Sequence, residues 1–261
     1  MTDDQIDDSS APLIEHLAEL RNRLIYSVLA FTVCMVLTFT VAGPVFNFLA
    51  APLTRILIEN GQEPGLIFTG LQQGFMTQVK IAMFGGFVFG FPIIAFQLWR
   101  FVAPGLYRSE KNAFLPFLVA SPVLFATGAA FAYYVVLPLA FDFFLGFQQF
   151  GAPAPALPEP GALAEAAPGD AVSIQFLGTI NEYLGLTMKF VIAFGMCFQL
   201  PVLLTLMGKA GLVSAKGLGD MRKYAVVGIL TLAALVTPPD VITQVILFVV
   251  VYGLYEISIQ L

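Results

Sequence analysis

Six long apolar stretches, separated by polar and turn-forming segments, dominate the pattern of the chain. They cover residues 24–42, 79–99, 113–141, 183–207, 224–236 and 241–255. A helix rises about 1.5 Å per residue, so roughly 20 apolar residues cross the hydrocarbon core of a bilayer. The pattern therefore predicts an all-α integral membrane protein with six transmembrane helices, and a single membrane domain over residues 1–261. The last two stretches are the shortest, so we expect the last two spans to be short.

The segments between the spans differ in character. Residues 1–12 are acidic and are expected to be flexible, whereas leucines recur on one stripe of residues 13–23. That periodicity predicts an amphipathic helix on the inner surface, before the chain turns into the first span. Residues 43–78 mix apolar and polar positions, which predicts short interfacial helices capping the outer side, with Pro52 in a structural role. Residues 142–182 contain an Ala/Pro-rich stretch typical of an irregular outer loop.

Prolines and glycines within the spans bear on helix shape. A proline inside a helix removes a backbone donor and kinks the helix. The prolines within or at the edge of spans are Pro92, Pro116, Pro122, Pro138 and Pro201. They predict bent helices that form a concave wall. Gly86 and Gly90 have the spacing that permits close helix contact, although in a glycine-rich span the spacing can also be incidental.

Positive charges are distributed unevenly among the loops. The region 142–182 contains no Lys or Arg, whereas nine of the twelve basic residues lie on the opposite side of the predicted spans. These nine are Arg21, Arg23, Arg100, Arg108, Lys111, Lys209, Lys216, Arg222 and Lys223. Basic loops face the cytoplasm, and orientation follows Lys and Arg rather than the net charge of −5. The pattern predicts that both termini are cytoplasmic.

Composition narrows the functional classes. Hydrophobic residues make up 58% of the chain and charged residues 11%, unlike a soluble domain. The two cysteines lie in apolar spans and there is one histidine, so we expect neither a disulfide framework nor a metal centre, and no cofactor. A membrane enzyme would need a catalytic set of side chains, which the sequence does not offer. A secondary transporter of a small solute stays as the alternative, although the chain has no internal repeat.

Two acidic residues on the predicted inner side are candidates for binding chemistry. Glu19 lies four residues before Arg23, and Glu110 lies between Arg108 and Lys111. One interpretation is structural: Glu19 forms an ordinary helical pair with Arg23, and Glu110 balances local charge. The other is that the two carboxylates receive two arginines of one ligand, because a guanidinium binds a carboxylate bidentately and stacks on aromatic rings.

Four motifs, in order along the chain, carry a family resemblance. From about residue 12 to residue 258 the chain resembles TatC, the multi-spanning core subunit of the twin-arginine protein translocase. The motifs are His16-Leu-x-Glu19-Leu-Arg21-x-Arg23-Leu24, Phe101-x-x-Pro104-x-Leu-Tyr107-x-x-Glu110, Phe194-Gly195-x-x-Phe198-Gln199-x-Pro201-Val202 and Thr237-Pro238-Pro239-Asp240.

The resemblance implies a receptor in the bacterial inner membrane for signal peptides that bear consecutive arginines. It implies no catalysis, no cofactor and no nucleic acid. The residues matching its signal-peptide site are Glu19, Arg21, Phe101, Pro104, Tyr107 and Glu110. It also implies TatA-type and TatB-type single-span partners, a multi-copy complex, and transport of folded proteins driven by the proton-motive force. We expect the short last two spans to contact these partners.

The chain departs from the family pattern within the fourth and sixth spans. Gln199 stands where the family commonly has Glu, so proton carriage there is in doubt, and the sixth span lacks the usual proline before its Tyr-Glu ending. Gln199 either bonds the Cys197 carbonyl freed by Pro201, or anchors a polar group of a partner helix. Asp240 either starts a helix as its third residue, with Thr237 as the cap, or handles protons. The candidates for intramembrane partner contact are therefore Gln199, Pro201 and Asp240.

Overall fold

The protein is helical almost throughout. The computed structural model describes residues 4–60, 65–102, 111–148, 178–209, 211–238 and 240–260. The elements, in chain order, are α1 (Asp4–Thr40), α2 (Ala42–Glu59), β1 (Leu66–Ile67), α3 (Gln73–Val102), α4 (Lys111–Phe131), a π-helical segment (Ala132–Val136), α5 (Leu137–Gln148), β2 (Gly178–Thr179), α6 (Ile180–Cys197), α7 (Leu200–Lys209), α8 (Ala215–Asp220), α9 (Arg222–Val236) and α10 (Val241–Gln260). The predicted helical membrane fold is confirmed. The sequence did not predict β1 and β2, two short parallel strands that pair Leu66 with Gly178.

Five helical stretches in the described part of the chain are long and apolar enough to cross a membrane. They are His16–Thr40, Gln73–Phe101, Pro116–Gly146, Ile180–Lys209 and Val241–Gln260. The 15 residues of α9 rise only about 22 Å, as expected for a short fifth span. The sixth span, however, is longer than predicted: α10 has 20 residues and rises about 30 Å. The helix continues past Glu256 to Gln260, and the Glu256 carboxylate pairs with Arg222 of α9.

The first helix is continuous, so the expected turn between a surface helix and the first span is wrong. All 37 residues of α1 form one helix, Asp4–Thr40, so the described part of segment 1–12 is helical. No Gly or Pro occurs between residues 13 and 42, so nothing in the sequence stops the helix. The neighbouring α3 packs along α1 as far as the stacked rings of His16 and Phe101.

In the described part of residues 43–78, a single helix, α2, precedes α3, where several short helices were expected. Pro52 lies inside α2 and is buried, and Pro44 lies in the first turn of α2, where its missing N–H costs little. Because Pro52 has no N–H, the carbonyl of Phe48 loses its helical donor. The Tyr133 hydroxyl supplies a replacement, donating to that carbonyl at 2.5 Å. The structural role predicted for Pro52 therefore consists of exposing a carbonyl to another helix.

Two of the five spanning prolines coincide with helix distortions. The π-helical segment lies before Pro138, and the N–H of Leu137 bonds the carbonyl of Ala132, five residues earlier. A break at residues 198–199 separates α6 from α7 just before Pro201. The other three prolines, Pro92, Pro116 and Pro122, lie inside uninterrupted helices. A proline in the sequence thus marks a possible distortion and not its position.

Close helix contacts hold the spans together. A Cβ on Gly86 of α3 would lie 2.8 Å from the Cβ of Met35, so only glycine lets α1 approach this near. At Gly128 of α4 a Cβ would lie 2.5 Å from the carbonyl oxygen of Phe194 in α6. The close-contact interpretation of the Gly86 motif is therefore correct. A small apolar cluster joins α3, α4 and α7, and it consists of Phe91, Ala95, Trp99, Phe125, Val202 and Leu206.

Candidate functional site

The N-terminal part of α1 and the C-terminal end of α3 lie side by side at one end of the first two apolar spans. The helices are antiparallel: Met35 faces Gly86, and further along Arg23 Nη1 donates to Gln97 Oε1 at 3.1 Å. At the end of the pair the His16 ring stacks on Phe101, with the centroids 4.4 Å apart and the planes 19° apart. We call His16, Glu19, Arg23, Gln97 and Phe101 the α1–α3 platform. It brings two predicted site residues, Glu19 and Phe101, onto one surface.

Glu19 of this platform already binds a guanidinium. Arg23 Nη2 donates to Glu19 Oε1 at 3.1 Å, and the two side chains are 33% exposed for Glu19 and 19% for Arg23. The predicted helical pair therefore forms. Arg23 also reaches across to α3 through Gln97, which the sequence did not indicate. Within the described ranges, no hydrogen bond reaches the second oxygen of Glu19.

The remaining predicted binding residues are not brought to this platform by the described structure. Arg21 is exposed on α1 and makes no hydrogen bond with any described residue. Pro104, Tyr107 and Glu110 lie outside the described residues. The pairing of Glu19 with Glu110 therefore stays a prediction.

Gln199 belongs to a buried hydrogen-bond network that joins three spans. Trp99 Nε1 of α3 donates to Ser121 Oγ of α4 at 3.0 Å, and Ser121 Oγ donates to Gln199 Oε1 at 2.7 Å. Gln199 Nε2 donates back to the Ser121 carbonyl at 2.8 Å. No bond to the Cys197 carbonyl occurs among these described residues, so that expectation is wrong. The amide is engaged by Ser121 and only 9% exposed, and contact with a partner helix stays a prediction.

The direction of each bond in the network is fixed by the indole. Trp99 Nε1–H can only donate, so the Ser121 hydroxyl must give its own hydrogen to Gln199. The Ser121 carbonyl can only accept, so position 199 must present an acceptor and a donor together. An amide does this, whereas an ionised carboxylate would place a bare oxygen against the carbonyl. The site suits a neutral side chain.

Asp240 caps α10. Its Oδ2 accepts from the Thr243 backbone N–H at 2.7 Å, and its Oδ1 accepts from the Thr243 hydroxyl at 2.5 Å. The predicted helix start is therefore real but three residues too early: Thr237 follows the last residue of α9, and Asp240 is itself the N-cap. Pro201, in the first turn of α7, is buried, and its carbonyl accepts a hydrogen bond from the Thr205 hydroxyl of the same helix at 2.5 Å.

The sequence did not identify the residues that join the start of α9 to the last turns of α10. Arg222 binds Glu256 bidentately, with Nε and Nη2 each 2.8 Å from a carboxylate oxygen. The Tyr252 hydroxyl donates to the same carboxylate at 2.8 Å. Partners separated by 34 residues carry no signal in a single sequence, as is also true of Gln97 and Ser121. In the described part of the chain, no group of three His, Cys, Asp or Glu side chains is arranged to hold a metal ion.

Comparisons with known proteins agree with this architecture. The family model "TatC: Sec-independent protein translocase protein (TatC)" matches residues 15–249. The Sec-independent protein translocase protein TatC of Magnetococcus marinus is 45% identical over 252 residues, covering 97% of this chain and 84% of that protein. The TatC of Aquifex aeolicus is 37% identical and covers 96% of this chain and 94% of its own length. A crystal structure of the twin-arginine translocase receptor TatC superimposes with a TM-score of 0.75 at 36% identity, covering 94% of this chain and 96% of that one.

The match spans nearly all of the described helices, including the α1–α3 pair and the capped start of α10. The chain therefore belongs to the TatC family of Sec-independent protein translocase proteins.

Proposed function

We propose that this protein is the receptor subunit of a twin-arginine translocase. It binds signal peptides with consecutive arginines at the inner face of the bacterial cytoplasmic membrane. It assembles with TatA-type and TatB-type single-span subunits, in several copies, and moves folded proteins across the membrane using the proton-motive force. The names of its relatives, a protein translocase and a twin-arginine translocase receptor, support this assignment.

The observation that carries the proposal is the guanidinium bound to Glu19 on the α1–α3 platform. A half-buried carboxylate is a strong guanidinium acceptor because charge-assisted bonds gain strength as water is excluded. Here the carboxylate already holds Arg23, and a stacked ring pair, His16 and Phe101, lies on the same platform. The geometry thus supports a site suited to arginine, which stacks on aromatic rings as well as bonding to acids.

The proposed roles follow from side-chain chemistry. Glu19 and Glu110 each accept one arginine of the pair, and Phe101 supplies an aromatic surface. Arg21, Pro104 and Tyr107 flank the site and shape the approach of the peptide. These roles are binding roles: the protein recognises a peptide and acts as a transport receptor rather than an enzyme.

The orientation rests on charge and on helix direction. Six helical crossings return the C-terminus to the side of the N-terminus, and the basic loops place that side in the cytoplasm. In this proposed orientation the Arg222–Glu256 pair, which joins the start of α9 to the last turns of α10, would also face the cytoplasm. Signal peptides made in the cytoplasm would meet the α1–α3 platform first.

The short fifth span is the proposed contact for single-span partners. Val227 and Leu235 of α9 are 63% and 80% exposed, and a helix of about 22 Å cannot cover the hydrocarbon core alone. A partner helix packed on α9 would cover these apolar side chains.

Binding of an arginine-pair peptide to the purified protein in lipid nanodiscs tests the receptor function. We expect Glu19→Ala and Glu110→Ala each to weaken binding, by about tenfold or more, because each removes a charge-assisted bond. Glu59→Ala, an exposed acid on α2, is the matched control and should leave binding unchanged. Undiminished binding in both inner-face variants rejects the proposal.

A further inference from the structure

The acid proposed to receive a ligand arginine is occupied by an arginine of the same chain. We propose that Arg23 is an internal competitor: it holds Glu19 in the free protein, and an arginine of the signal peptide displaces it. This inference rests on the proposed receptor function, because it concerns the same carboxylate.

The contact between Arg23 and Glu19 has the geometry of a replaceable bond. One nitrogen, Nη2, meets one oxygen, Oε1, at 3.1 Å. Strong charge-assisted bonds between a guanidinium and a carboxylate are shorter, about 2.7–2.9 Å, and often use both oxygens. The bidentate Arg222–Glu256 pair of this protein, with both bonds at 2.8 Å, is an example. An incoming guanidinium that engages both oxygens of Glu19 would therefore bind better than Arg23 does.

Gln97 gives the displaced arginine a place to remain. Arg23 donates to Gln97 Oε1 at 3.1 Å through Nη1, which is not the nitrogen that contacts Glu19. When a ligand takes the carboxylate, Arg23 keeps this bond and stays against α3. Exchange at Glu19 therefore leaves Arg23 with a partner, which keeps the cost of displacement small.

A second pair of the same spacing shows what an ordinary helical pair looks like. Arg55 and Glu59 on α2 are four residues apart and bond at 2.9 Å, and their side chains are 82% and 60% exposed. The Arg23–Glu19 pair is much less exposed, at 19% and 33%, and its arginine bridges two helices. Because charges that are partly buried are screened less by water and salt, Arg23 repels a neighbouring cation more strongly than Arg55 does.

Competition outweighs the alternative, in which Arg23 orients Glu19 for the ligand. If Arg23 oriented Glu19, ligand binding would gain only the side-chain conformational entropy that Glu19 no longer has to lose. Two guanidinium groups at one carboxylate, by contrast, repel each other at close range. Removal of Arg23 should therefore strengthen ligand binding. The gain is that of breaking a partly shielded ion pair, about two- to fivefold in affinity.

The test measures the affinity of a fluorescent peptide containing an Arg-Arg pair for the full-length protein in nanodiscs. We expect Arg23→Gln to bind the peptide two- to fivefold more tightly. Gln97→Leu should bind it more weakly, because Arg23 then has Glu19 as its remaining partner. Arg100→Gln removes one positive charge beside Phe101 without freeing a carboxylate, and we expect it to change affinity less than Arg23→Gln does.

Combination with Glu19→Ala separates this inference from the receptor function. In a Glu19→Ala background, Arg23→Gln should not change the affinity for the peptide any further. This expectation concerns affinity and does not depend on the thermal stability of the variants. If Glu19→Ala weakens binding but Arg23→Gln leaves it equal or weaker, Arg23 is not a competitor and the receptor function stands. If Glu19→Ala leaves binding unchanged, the receptor site itself is misplaced.

Discussion

At the scale of single residues, Ser121 connects more of the structure than its size suggests. Its hydroxyl accepts from Trp99 and donates to Gln199, and its backbone carbonyl accepts from Gln199, so one small residue ties α3 and α4 to the break between α6 and α7. Ser121 is 1% exposed, and every polar atom of the network must find its partner inside the protein. The network therefore holds the break in one geometry.

Ser121→Ala tests this role. The change leaves the Trp99 indole N–H and the Gln199 carbonyl oxygen without partners, so we expect a loss of about 1–3 kcal/mol in the free energy of unfolding. Trp99 is the single tryptophan of the chain, and its fluorescence emission should shift when its acceptor disappears. Ser27→Ala is the control, because Ser27 bonds only its own helix, and it should change stability by about 0.5 kcal/mol or less. If Ser121→Ala and Ser27→Ala had the same free energy of unfolding, the hydrogen-bond network would contribute nothing to stability.

The sequence allowed Gln199 to be recognised as unusual but did not identify its partner. A polar side chain beside Pro201 in an apolar span invites a local explanation, the freed Cys197 carbonyl. The actual partner is 78 residues away, on another span. The same holds for Arg23, whose helical pair with Glu19 follows from spacing, whereas its bond to Gln97 depends on how α1 and α3 pack. Local chemistry is readable from one sequence, and contacts across helices are not.

At the scale of elements, helix ends and proline sites explain where the predicted boundaries moved. The pattern of apolar residues predicts the existence and order of the spans, because burial in lipid needs long apolar helices. It does not predict that α10 continues past Glu256, which pairs with Arg222 of another helix, or that α1 is continuous along α3. The start of α10 depends on one side chain, Asp240, which satisfies the Thr243 N–H.

Substitutions at Asp240 distinguish a helix cap from a proton carrier. Asp240→Ala should destabilise the protein by about 0.5–2 kcal/mol, measured by thermal unfolding in detergent, because the cap is lost. Asp240→Asn keeps an acceptor oxygen and should cost less stability and retain transport. Full stability of Asp240→Asn with complete loss of transport would favour the proton role instead.

Pro52 and Tyr133 should depend on each other. The Tyr133 hydroxyl bonds the Phe48 carbonyl that Pro52 leaves without a donor, so Tyr133→Phe should cost about 1–3 kcal/mol of unfolding free energy. In a Pro52→Ala background the helix supplies its own N–H donor, and the cost of Tyr133→Phe should fall below about 1 kcal/mol. Thermal unfolding of the four proteins of this double-mutant cycle measures the difference. Additive effects would contradict the dependence.

At the scale of the whole molecule, the short α9 sets a requirement on the bilayer. A span of about 22 Å beside spans of about 30 Å or more leaves a mismatch that the lipid or a partner must cover. The Arg222–Glu256 pair ties the start of α9 to the last turns of α10, and Asp240 caps the start of α10. The helical hairpin formed by α9 and α10 is therefore held at both ends. We expect the bilayer, rather than the hairpin, to adjust to the mismatch in length.

The thermal stability of the protein in nanodiscs should depend on lipid chain length. We expect higher stability in short-chain than in long-chain phosphatidylcholine. A thinner hydrocarbon core matches the length of α9 better, so the polar ends of α9 are less buried in lipid. Arg222→Gln removes the ion pair between α9 and α10, and it should reduce the dependence of thermal stability on lipid chain length. Stability that rises steadily with chain length would show that α9 does not limit the fit.

The site claim is tested most directly by mapping where the arginine pair of a signal peptide lies. A peptide with a photoreactive side chain next to its arginine pair would be irradiated with the full-length protein in nanodiscs, and the adducts located by mass spectrometry. We predict adducts on α1 between His16 and Arg23 and on α3 near Phe101, lost when Glu19 is replaced by Ala. Adducts confined to α2 of the outer cap or to α9, unaffected by Glu19→Ala, would contradict the account.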